Sequence, residues 1–69
     1  MNEYEEKIVQ CIKSLKESKL LNTRLKNHGY LLGLLEVYMK NPDWDMEIVK
    51  QALDAIAESR SILNGYIVD

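Results

Sequence analysis

The sequence predicts an all-α fold, a small antiparallel three-helix bundle, and three observations carry that expectation. Apolar residues recur at spacings of three and four along most of the chain, the period of one helix face. No alternating β-branched run is bounded by turns, and Asn64-Gly65, the one hairpin-like dipeptide, joins no pair of such runs. Two interruptions, at residues 18–23 and 40–45, divide the 69 residues into three segments of helical length.

The first helix is expected over residues 3–19. Asn2 can cap its first turn, and Glu5, three residues on, completes a capping box. Tyr4, Ile8, Cys11, Ile12 and Leu15 form the inward stripe, while Glu3, Glu6, Lys7, Lys13, Lys16 and Glu17 face water. The stripe then loses phase, since Ser18 and Asn22 stand where apolar residues are due. A break here is favoured, because the phase change coincides with capping residues. The alternative is one long helix and hence a helical hairpin.

The second helix is expected over 22–40, capped by Asn22 or Thr23. Leu21, Leu25, His28, Leu32, Leu35 and Met39 follow one another at spacings of 4, 3, 4, 3 and 4, a heptad-like seam assigned to the core. Leu31, Leu34 and Tyr38 share the neighbouring face with Gly33. A helix apolar over two faces needs partners on both sides. The face of Leu31, Leu34 and Tyr38 is therefore the expected uncovered flank, a surface for oligomerisation or partner binding with His28 or Tyr38 at its rim.

The third helix is expected over 43–65. Pro42 suits its first position, and Asp43, Asp45 and Glu47 complement the positive end of its dipole. Its stripe is Ile48, Val49, Ala52, Leu53, Ile56, Ser59 or Arg60, Leu63 and Tyr66, and Asn64-Gly65 reads as a C-terminal stop.

Composition narrows the function. At 46% hydrophobic and 29% charged, residues 1–69 read as a single globular domain. No apolar run nears the ~18 residues of a membrane span. The acidic start Glu3-Tyr4-Glu5-Glu6 is unlike a secretory signal, so a soluble cytoplasmic chain is expected. One cysteine and one histidine exclude an internal disulfide and a tetrahedral Cys/His zinc site within one chain. Without such staples so small a core is marginal, and self-association is the expected support. Residues 1–30 carry six basic and four acidic side chains; residues 31–69 carry three and seven. That asymmetry suits electrostatic pairing of the two halves, within a chain or between chains.

Candidate chemistry is sparse. Asp43-x-Asp45-x-Glu47 lacks the further oxygen ligands and the turn glycine of a calcium loop, and the helix dipole accounts for these acids. Cys11 lies on an apolar face and His28 on a seam, positions of packing more than of a catalytic dyad. No phosphate loop or nucleophile elbow is present. The expectation is a non-enzymatic protein with no catalytic residue, no metal and no cofactor. A helix-turn-helix would place its turn at Asn27-His28-Gly29-Tyr30. Its recognition helix, 31–38, has no Arg, Lys, Asn or Gln to read base edges, which weighs against nucleic acid. A dimeric nucleic-acid regulator using Lys13, Lys16, Lys19, Arg24 and Lys26 on phosphates is the alternative.

Tyrosine and tryptophan are the only aromatic types, and both are favoured at interfaces. Tyr4 and Tyr66 are expected to be half-buried. Trp44, between two aspartates at a helix start, is either a staple onto the core or an exposed anchor. The sequence thus predicts an interaction or regulatory protein that self-associates or binds a protein partner through Leu31, Leu34, Tyr38, Trp44 and His28. In size and composition it resembles the small helical accessory proteins of bacteria and their phages, a resemblance that no motif carries.

Overall fold

Three α-helices run up, down and up: α1 (Glu3–Glu17), α2 (Leu21–Met39) and α3 (Met46–Ile67). The structure is a computed structural model that describes residues 2–67, with side chains described as far as Gly65. No strand occurs among the described residues, and each helix packs against both others to form a three-helix bundle measuring 42 × 16 × 16 Å.

α1 starts with the capping box its sequence announces. Asn2 Oδ1 accepts the Glu5 N–H at 2.8 Å, and Glu5 Oε1 accepts the Asn2 N–H at 2.9 Å. The helix ends two residues earlier than expected, because Ser18 turns extended (φ −66°, ψ 126°). The joint is held from inside α2: Arg24 Nη2 donates to the Ser18 carbonyl at 2.8 Å, and Asn27 Nδ2 to the Ser18 hydroxyl at 3.3 Å. The long-hairpin alternative is therefore not what the chain adopts. Neither Asn22 nor Thr23 caps α2. Leu20 holds the N-cap position without a side-chain bond, so the helix begins at Leu21.

α3 begins three residues later than the proline suggested. Asn41 Oδ1 accepts the Asp43 N–H, and the Asn41 carbonyl accepts the Trp44 N–H, so Pro42 lies in a turn. Asp45 is the true cap: its Oδ1 accepts the Glu47 N–H at 2.9 Å and its carbonyl the Val49 N–H at 3.1 Å. At the other end the helix runs through Asn64-Gly65 to Ile67. A glycine stop requires a left-handed residue, and no described glycine has positive φ.

The core is built from Ile8, Cys11, Ile12 and Leu15 of α1, Leu31, Leu34, Leu35 and Tyr38 of α2, and Ile48, Val49, Ala52, Ala55 and Ile56 of α3. α1 follows its sequence stripe, save that Tyr4 is exposed. α2 does not. Its buried face is the one expected to be free, joined by Leu35 of the expected seam, while Leu21, Leu25, Leu32 and Met39 of that seam are exposed and His28 is half-buried. Leu53 of α3 is also exposed rather than buried. The side chain of Tyr66 lies outside the described residues.

Candidate protein-interaction surface

Of the five residues expected to face a partner, three belong to the interior. Leu31, Leu34 and Tyr38 are 0, 9 and 1% exposed. The fold commits them to holding α2 against its neighbours, and they present no surface. Trp44 is half-buried and packs against the core, the staple of the two alternatives. His28 is half-buried, with Nδ1 3.1 Å from the hydroxyl of buried Ser59. Burial, aided by the Arg60 charge, lowers its pKa below the usual histidine value.

Tyr38 shows why α2 rotates as it does. Its hydroxyl donates to Glu5 Oε2 at 2.6 Å and accepts the Asp45 N–H at 2.6 Å. One buried phenol thus joins the start of α1, the last turn of α2 and the cap of α3. Burial and the Glu5 carboxylate raise its pKa, while the Tyr38 hydroxyl and the Asn2 amide together hold the Glu5 carboxyl below its ordinary value. A buried tyrosine needs such partners for its hydroxyl. They lie 33 residues upstream and seven downstream, beyond what helical periodicity reports.

Cys11 and His28 do not form a dyad. The buried thiol donates to the Asn27 carbonyl at 3.4 Å, whereas His28 turns to Ser59. Burial raises the Cys11 pKa, which keeps it a thiol. The acids before α3 are likewise accounted for by the helix start that Asp45 caps.

The rotation of α2 leaves a different surface exposed. Leu25, Leu32 and Met39 lie seven residues apart on α2, and Met46 and Leu53 seven apart on α3; all five are between 40 and 72% exposed. One contact sets both rows along the same seam: His28, within the α2 row, bonds to Ser59 of α3, three residues beyond Ile56 and six beyond Leu53, so that side of α2 lies against α3. The antiparallel course then sets Met39 near the start of α3 and Leu32 across from its middle. Beside this face an open groove of about 290 Å³ is lined by Trp44, Met46, Val49, Lys50, Leu53 and Asp54.

Sequence reasoning missed this face although its signal was present. Met46, Lys50, Leu53, Ala57 and Arg60 repeat at 4, 3, 4 and 3, a second seam beside the buried one of α3. The ends of the bundle differ in charge. Glu3, Glu5, Glu6, Glu36, Asp43, Asp45 and Glu47 gather at the α2–α3 end with Lys7, Lys40 and Lys50. Among the described residues, Lys13, Lys16, Lys19, Arg24, Lys26 and Arg60 lie toward the α1–α2 end with Glu17 and Glu58. Among the described residues no helix is long and apolar enough to cross a membrane. Compared with known proteins, the chain matches no protein-family model, no curated protein and no solved structure.

Proposed function

We propose that this is a non-enzymatic interaction protein whose α2/α3 face docks onto another protein surface. The observation that carries the reading is the double row of Leu25, Leu32, Met39, Met46 and Leu53 left in water by a bundle whose own core is already filled. Together these side chains present on the order of 500 Å², comparable to the largest apolar patch of a typical monomer, which is often functional. Trp44, stapled to the core, lines one end of the groove beside these rows. The test compares the native chain with a Leu32→Glu/Leu53→Glu variant as immobilised baits, offered both a differently tagged copy of the chain and a lysate of the source cells. The native bait should retain a protein that the variant loses. Equal retention by both refutes the reading.

A second reading, phosphate-backbone contact by the basic end, gains from the fold, which brings Lys13, Lys16, Lys19, Arg24 and Lys26 to one end of the bundle. Arg24 is partly spent on the Ser18 carbonyl, which weakens it. Nucleic-acid affinity that falls steeply between 50 and 200 mM salt, as expected for counterion release, supports this second reading. Absence of binding at low salt removes it.

A further inference from the structure

We infer that the occupant of the α2/α3 face is a second copy of this chain, related by a two-fold axis and with the two α3 helices antiparallel. This rests on the reading of that face as a docking surface and adds the identity and direction of the partner.

The direction comes from charge. The acidic α2–α3 end and the basic α1–α2 end stand at opposite poles of a bundle 42 Å long and 16 Å across. Two such bundles laid side by side in parallel set like poles against each other. Laid antiparallel, the acids at the start of α3, Asp43, Asp45 and Glu47, are turned toward the second copy's basic end, where α2 and α3 carry Arg24, Lys26 and Arg60. A two-fold face must also complement itself, because each residue meets its counterpart's neighbours. The groove edge does so. Lys50 and Asp54 flank Leu53 on it, and the only ion pair among the described residues is Lys7–Glu3, at 3.2 Å. An axis near residue 52 sets Lys50 opposite Asp54 of the second copy, twice, and brings Met46 over the small Ala57. Area is consistent with this. The apolar rows counted from both copies, with their polar rim, approach the ~1,200 Å² at which specific dimers begin.

The test is sedimentation equilibrium of the full chain between 1 and 200 μM at low and high salt, beside circular dichroism. The native chain should reach twice its monomer mass within that range, with affinity falling as salt rises. Leu53→Glu should be monomeric with unchanged helicity. Lys50→Glu sets two acids against each other at both crossings and should weaken the dimer on the order of tenfold. Adding Asp54→Lys reverses both partners and should restore it. A native monomer at 200 μM overturns the inference, as does a dimer indifferent to Leu53→Glu. A double charge reversal as weak as the single one overturns the antiparallel pairing. If the native chain stays monomeric yet its bait still retains a protein that the face variant loses, self-pairing fails and the docking reading stands. If neither self-association nor capture depends on the face, both fail.

Discussion

Replacing Tyr38 by phenylalanine removes one oxygen and tests the tie between the three helices. The ring is 1% exposed and its shape is kept, so apolar packing is nearly unchanged. The Asp45 N–H, bonded to that hydroxyl at 2.6 Å, loses its acceptor at the start of α3. Glu5 loses a donor but keeps the Asn2 amide, and its carboxylate is open enough for water to replace much of the bond. The orphaned N–H and the lost buried bond together cost roughly 1–3 kcal/mol. Against the 3–10 kcal/mol expected of a domain this size, roughly, that is a large share. Urea unfolding at pH 7 should show the loss, and thermal unfolding should shift down by about 5–20 °C. The pH dependence adds a second reading. Glu5 has a lowered folded-state pKa, so its contribution is present above its ordinary value near 4.5 and is lost as pH falls through the lower folded value. Tyr38→Phe should therefore flatten that acid limb. A variant within about 0.5 kcal/mol of the native chain, a difference ordinary for an inconsequential surface change, with the acid limb intact, would refute the tie.

Leu31→Ala should cost ~2–5 kcal/mol, the price of a cavity in a filled core, whereas Leu32→Gln should leave helicity and stability nearly unchanged in the monomer; circular dichroism of the two, side by side, decides which face of α2 is inside. Because burial and Arg60 lower the pKa of His28, its unfolded form takes up a proton first: stability is level above about pH 6.5 and falls below it. His28→Gln should remove that slope between pH 7.5 and 5.5, above the window in which Glu5 responds, and equal slopes in urea midpoints would show that the ring is not desolvated.

Much of this molecule was legible in its residues alone. Helical periodicity and two interruptions determined the class, the number of helices and the α1 face, because Ile8, Cys11, Ile12 and Leu15 form one apolar stripe on an otherwise polar helix. The Asn2–Glu5 capping box was equally local, since both partners lie within one turn. α2 was different. Its apolar residues surround the helix, so the heptad row from Leu21 to Met39 and the row of Leu31, Leu34 and Tyr38 were both fit to be buried. The choice fell to contacts far along the chain. Tyr38 goes inside because Glu5 and Asp45 satisfy its hydroxyl, while the Asn27 side chain turns to the Ser18 hydroxyl and His28 to Ser59. Once α2 is set that way, Leu25, Leu32 and Met39 are left outside, and the exposed row of Met46 and Leu53 falls beside them along the α2/α3 seam. Periodicity names the rows of a helix, but only the partners of its polar groups decide which row is buried, and those partners exist only in the folded chain.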